Sequence, residues 1–171
     1  MWDRIKRLLR HRWMEDSQRV ISPQTVQRLK EMVLASEQTH TGEIRICIEA
    51  GLPNSYLLRP GNLRTIIRQR ALSQFGKLRV WDTEHNNGVL IYLLLAEHTI
   101  ELVADRGLNA FVAPTAWNAM VQRLGAALRQ GQFEDGVAAA IEEVSAVLQA
   151  NFPHRPGSVR SNELPDQPTL T

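Results

Sequence analysis

Changes in the spacing of apolar residues divide this chain into elements. From Pro23 onward Val26, Leu29, Met32, Val33 and Leu34 recur at helical spacing, with Ser22 placed to cap the helix and Pro23 suited to its first position. The stripe fades over Glu37–Thr41, and Gly42 ends it. Glu43–Ala50 then alternates, with Ile44, Ile46 and Ile48 on one face and Arg45 and Glu49 on the other, which predicts a strand. Gly51–Asn62 carries Pro53, Asn54, Pro60 and Gly61 and reads as a loop. Residues 63–76 return to helical spacing through Leu63, Ile66, Ile67, Arg70, Ala71, Leu72 and Phe75, with Gly76 as the expected stop. Gly88–Leu95 is an almost unbroken apolar run, the pattern of a central strand covered on both faces. Ala96–Thr99 is a short connection, and Ile100–Ala104 is the expected hairpin partner. Two helices follow, Pro114 to about Gln130 and Phe133 to about Ala150, separated by Gly131. After Phe152 periodicity is lost among Pro, Ser and polar residues, and the tail is expected to be disordered.

A helical stripe also runs through residues 2–14, where Trp2, Ile5, Leu8, Leu9 and Trp13 lie opposite Arg and Lys. Such a segment suits an anionic lipid surface, and equally suits docking on the domain's own core or on a partner subunit. The element order is then α, α, β, α, β, β, α, α. A helical crossover makes strands 1 and 2 parallel, as neighbours or next but one, and the short connection makes strands 2 and 3 antiparallel. The helices before and after cover both faces of the sheet. The expected divisions are a basic amphipathic helix over 1–16, a domain over 20–153 and a tail over 154–171.

Composition narrows the function classes. A chain of 171 residues fits one domain with short extensions. A net charge of +2 is too small to make nucleic acid the main partner, although Arg4, Lys6, Arg7, Arg10 and Arg12 cluster, as do Arg59, Arg64, Arg68 and Arg70. One cysteine, Cys47, excludes an internal disulfide and any Cys-rich zinc site, and its apolar surroundings make it a core residue. No run reaches the ~18 apolar residues of a membrane span. The N-terminus lacks the apolar stretch of a secretion signal, so a cytoplasmic protein is expected, and residues 2–14 are the segment that would carry any peripheral membrane contact.

The candidate chemistry sits at the ends of the two apolar runs. Asp82, Glu84, Asn86 and Asn87 precede the first, and Asp105 follows the second. Antiparallel pairing brings both positions to one edge of the sheet. Carboxylates, amide carbonyls and backbone oxygens are the ligands calcium takes, so these five residues form a candidate metal site, without the spacing of an EF-hand. Asn-Asn-Gly is equally good turn chemistry, and Asp82 can cap a turn. No Cys-nucleophile loop, Gly-rich phosphate cradle or His-rich two-metal cluster is present. His85 and His98 read as solvated loop residues, and Arg106 as a partner of Asp105 or Glu101. Trp81 and Trp117 read as core, and Arg64 and Arg68 as a solvated helical face.

The residues HTGEIRICIE (40–49), RALSQFGKLRVWDTEHNNGVLIYLLLAEHTIELVADRGL (70–108), Trp117 and GQFEDG (131–136) together resemble the TPM domain, named for thylakoid, plant photosystem and eukaryotic membrane members. Order and spacing agree from about residue 20 to 153, and the chain is similar to compact bacterial members. The resemblance implies an α/β/α sandwich on a small mixed sheet. Plant members are assigned acid phosphatase activity and a part in photosystem II repair, some members bind calcium, and bacterial members tend to lie near genes of the LemA family. About activity it implies less; the missing catalytic motifs and the basic amphipathic N-terminus make a binding or accessory module near the membrane the leading expectation, with a LemA-family or other membrane-associated protein as partner and calcium as the candidate ion. A weak metal-dependent acid phosphatase is the alternative.

Overall fold

Alternation over six residues turns three isoleucines to one face of the first strand and Arg45, Cys47 and Glu49 to the other. The computed structural model describes His11, residues 21–154 and residues 162–171. Among these the order is α1 (Pro23–Glu37), β1 (Ile44–Glu49), α2 (Asn54–Leu57), α3 (Leu63–Lys77), β2 (Val89–Leu94), β3 (Thr99–Ala104), α4 (Pro114–Arg129), α5 (Phe133–Asn151) and β4 (Thr169–Leu170). The amphipathic stretch 2–14, apart from His11, lies outside the described residues.

β1 and β2 are parallel neighbours, with Ile44 opposite Val89 and Glu49 opposite Leu94. β2 and β3 are antiparallel, with Val89 opposite Ala104 and Leu94 opposite Thr99. Both expected pairings are present. The hairpin turns through a short 3-10 segment, Leu95–Glu97, and the left-handed residue His98. Sheet order is β3-β2-β1-β4.

The two faces of the sheet build two cores. Ile46, Ile48, Ile91, Leu93 and Leu102 meet Leu29 and Val33 of α1, Leu124 and Leu128 of α4, and Val137, Ile141 and Val144 of α5. Cys47, Leu90, Tyr92 and Val103 meet Tyr56 and Leu57 of α2 and Ile66, Ile67 and Ala71 of α3. The result is an α/β/α sandwich on a mixed sheet. Burying a Leu or Ile side chain contributes roughly 1.5–3 kcal/mol, and β2 is buried along its whole length, so this hairpin anchors the fold. Helix starts are local: Ser22 Oγ accepts from the Thr25 N–H at 3.0 Å, and Asn62 Oδ1 from the Thr65 N–H at 2.8 Å.

Four features differ from the sequence reading. The loop before α3 contains a single helical turn, α2. α3 continues past Gly76 to Lys77, and the chain reverses at Arg79, with φ 54°. Trp81 is 49% exposed and lies beside the Arg79 guanidinium at 5.8 Å, because the reversal turns it away from the core that Val80 enters; Trp117 is buried as expected. The tail expected to be disordered returns to the sheet over residues 162–171. Leu164 enters the second core and β4 pairs in parallel with Cys47 and Ile48. Thr169–Leu170 is too short for an apolar run, and its docking comes from the side chain of Arg45, which donates to the carbonyls of Pro165 and Gln167 and to Thr169 Oγ1.

Candidate functional site

The antiparallel register puts residues 82–88 and 105–107 at the same end of the hairpin. The Asp105 N–H donates to the Gly88 carbonyl at 2.9 Å, and the Gly107 N–H to the Asn86 carbonyl at 2.9 Å. Two glycines allow this closeness. A Cβ on Gly107 would lie 2.5 Å from the Asn86 carbonyl oxygen and 2.6 Å from that of His85, and one on Gly88 would collide with the Val80 carbonyl. Both obstacles are backbone. Gly88→Ala is expected to destabilise the domain by about 1–3 kcal/mol, measured as a lower urea midpoint.

The five expected ligands divide into two groups. Asp82 points outward and pairs with Arg79. Glu84 is exposed, and its N–H donates to Glu163 Oε2 at 2.8 Å. Asn86 is left-handed, with φ 51°, and its Oδ1 accepts from Arg106 Nε at 3.0 Å. Asn87 and Asp105 are buried. Asn87 donates its N–H to Thr83 Oγ1 at 3.1 Å and its Nδ2 to Thr41 Oγ1 at 3.4 Å. Asp105 Oδ1 accepts from the Arg106 N–H at 2.7 Å. The remaining oxygen of each, Asn87 Oδ1 and Asp105 Oδ2, is buried without a hydrogen-bond partner. A buried acceptor without a donor is costly, and a cation is one group that removes the cost. Among the described residues no group of three or more His, Cys, Asp or Glu side chains is gathered as a metal site. The arrangement therefore offers one carboxylate and one amide, with nearby backbone carbonyls, which suits a weak site for a hard, oxygen-seeking ion. His85 and His98 are exposed, as expected, while Arg106 engages Asn86 rather than a carboxylate side chain.

Beneath α3 lies a polar cluster that the sequence reading did not identify. Arg70 Nε donates to Glu49 Oε1 and Oε2 at 3.1 and 2.9 Å, and Nη2 donates to Oε1 at 2.5 Å. The Tyr92 hydroxyl donates to Oε2 at 2.6 Å. Burial and the Glu49 carboxylate hold the Tyr92 phenol above its usual range, so it stays a donor. The signal was present: Arg70 fell within an apolar helical stripe, and Glu49 ended a strand. Burial, followed by the nearby Glu49, pushes the Cys47 thiol up to about 12, which makes it an inert core thiol. Arg68 does not simply face solvent, since it donates to the Leu102 carbonyl at 2.6 Å and to Glu101 at 3.2 Å. It thereby caps an outward carbonyl on edge strand β3.

A second buried carboxyl lies at the end of α1. Glu37 is 1% exposed and accepts from the Ile44 N–H at 2.9 Å. Burial, together with Glu43 and Asp166, pushes its carboxyl up to about 8. His40 beside it donates Nδ1–H to the Gly42 carbonyl at 3.0 Å and meets Ser36 Oγ at 2.9 Å.

Set against known families, residues 14–147 match the one described as the TPM domain. Among solved structures, the NMR structure of the BA42 protein from the psychrophilic bacterium Bizionia argentinensis aligns with a TM-score of 0.69 at 23% identity, covering 87% of this chain and 94% of that one. The N-terminal domain of a protein from P. gingivalis, solved by solution NMR, aligns with a TM-score of 0.54 at 17% identity, covering 79% and 82%. At these identities the likeness is one of fold. Curated proteins provide no match.

Proposed function

We propose that this chain, which belongs to the TPM domain family, is a binding module that holds a divalent cation of the calcium type at the end of its central hairpin. The observation that carries the reading is the pair of buried, unpartnered oxygens, Asn87 Oδ1 and Asp105 Oδ2. Calcium accepts this mixture of carboxylate, amide and carbonyl oxygen, and a site with one negative charge belongs with weak sites, Kd about 10⁻⁴–10⁻³ M. Asp82 and Glu84 are near enough in sequence to join when the ion arrives, by leaving Arg79 and solvent respectively. On this reading the oxygens act as ion ligands, and the module works by binding. The basic amphipathic stretch 2–14 supports an accessory role at an anionic lipid surface beside a membrane-associated protein, with LemA-family proteins as the candidate class.

Thermal unfolding with calcium and with chelator tests the ion. A ligand at tenfold its Kd adds about 1.4 kcal/mol to the native state. For a domain of this size that is a rise of about 3–6 °C in Tm. Asp105→Asn keeps the contact to the Arg106 N–H and removes the charge, and is expected to abolish the rise. Equal melting in calcium and in chelator would count against the site.

A further inference from the structure

One buried polar group lies apart from the hairpin end and from the Glu49 cluster. The indole Nε1–H of Trp117 is buried without a hydrogen-bond partner, in a residue only 9% exposed. An indole N–H in a protein interior ordinarily finds an acceptor, and leaving one unpaired is costly. Trp117 sits one turn into α4 and packs with the first core. It also forms part of the wall of a cleft of about 280 Å³ beside β3, the outer strand of the sheet. β3 contributes Leu102 and Ala104 to this cleft, α3 contributes Arg68, and α4 contributes Pro114, Asn118 and Val121.

The polar groups around the cleft are mostly donors. Arg68 uses Nη1 for the Leu102 carbonyl and for Glu101, which leaves Nε and Nη2, and its side chain is 43% exposed. The start of α4 has no capping side chain at Ala113 and no acidic residue in its first turn, so nothing in the helix itself offsets the positive end of its dipole. Pro114, the first residue of that helix, borders the cleft. Asn118, exposed and one turn further on, adds an amide. Among the described residues the one carboxylate in the wall is Glu101, which Arg68 already pairs with. That pair balances in charge, and the helix end adds about half a positive charge. A ligand with a single negative charge suits this balance, whereas a dianion exceeds it. A planar carboxylate also matches the guanidinium fork. Leu102, Ala104 and Val121 give the rest of the ligand an apolar wall, and the volume limits it to a small molecule.

We propose that this cleft binds a small organic monocarboxylate. One carboxylate oxygen accepts from Trp117 Nε1–H, the other accepts from the open edge of the Arg68 guanidinium, and the carbon chain lies against Leu102 and Val121. The site shares no residue with the proposed cation site, and neither reading depends on the other.

Butyrate is a suitable probe, followed by ¹H–¹⁵N NMR of the indole N–H groups at constant ionic strength. The chain has four tryptophans, and Trp117→Phe identifies the Trp117 signal by its loss. In the native sequence that signal is expected to move downfield and to saturate with a Kd of about a millimolar, while the Trp81 signal stays in place. Arg68→Gln removes the guanidinium and is expected to weaken binding about tenfold or more. Asn118→Asp places a negative charge at the cleft on an exposed residue, leaves the core untouched, and is expected to weaken butyrate binding as well. Inorganic phosphate is expected to bind more weakly than butyrate. A Trp117 signal that does not move with butyrate would overturn the proposal, as would an equal shift with chloride. So would unchanged affinity in Asn118→Asp or in folded Arg68→Gln, and tighter binding of phosphate would overturn the assignment to a monocarboxylate.

Discussion

Arg70→Ala is expected to lower the stability of the domain by about 3–5 kcal/mol, the range for removing one partner of a buried ion pair. The side chains of Arg70 and Glu49 are 11% and 4% exposed, and the guanidinium contacts both carboxylate oxygens. Without it the Glu49 carboxylate keeps the Tyr92 hydroxyl as a hydrogen-bond donor and loses the cation it pairs with among the described residues. Lysine restores charge without the planar fork and should recover part of the loss. Converting Glu49, Arg70 and Tyr92 together to Leu, Met and Phe removes every member of the cluster, and is expected to recover most of the loss. Urea unfolding of the three variants beside the native sequence measures the series. A single variant that unfolds with the native midpoint would show that the pair contributes little.

The second large effect is a loss of stability as pH rises. The Glu37 carboxyl is pushed from 4.5 up to about 8, first by burial. Below the lower value both the folded and the unfolded chain carry the proton, and the contribution is complete. Between the two values the unfolded chain releases its proton while the folded chain retains it, so stability declines with pH. Above about 8 both states are ionised and the decline stops. The full span is on the order of 5 kcal/mol. Glu101, whose carboxyl burial also raises, adds a contribution of the same sign. The difference between the native sequence and Glu37→Gln isolates Glu37. That difference, followed by urea midpoints across pH, is expected to change across the window between 4.5 and about 8 and to be constant on either side of it.

The three long strands were legible because their information is local. The alternation in Ile44–Glu49 and the continuous run Val89–Leu94 state their own burial, and a short connection requires antiparallel pairing. β4 was not legible, because two residues have no period and its attachment comes from Arg45, more than a hundred positions earlier. Trp81 was misplaced for a similar reason: the left-handed turn at Arg79 decides which way it faces, and a non-glycine residue gives little notice of that conformation. The candidate site was legible as a place rather than as a ligand set. Register alone brings residues 82–88 to Asp105. Whether each side chain turns inward depends on competitors such as Arg79 for Asp82 and Arg106 for Asn86, which spacing does not reveal.

Burial separates Asn87 and Asp105 from the other three residues, and the cation reading rests on that separation. A calcium titration followed by ¹H–¹⁵N NMR tests it most directly. Shifts are expected at the amides of residues 82–88 and 104–107, saturating at about millimolar calcium, and Asp105→Asn should remove them. Spectra unchanged at saturating calcium, or shifts confined to other parts of the domain, would contradict the assignment.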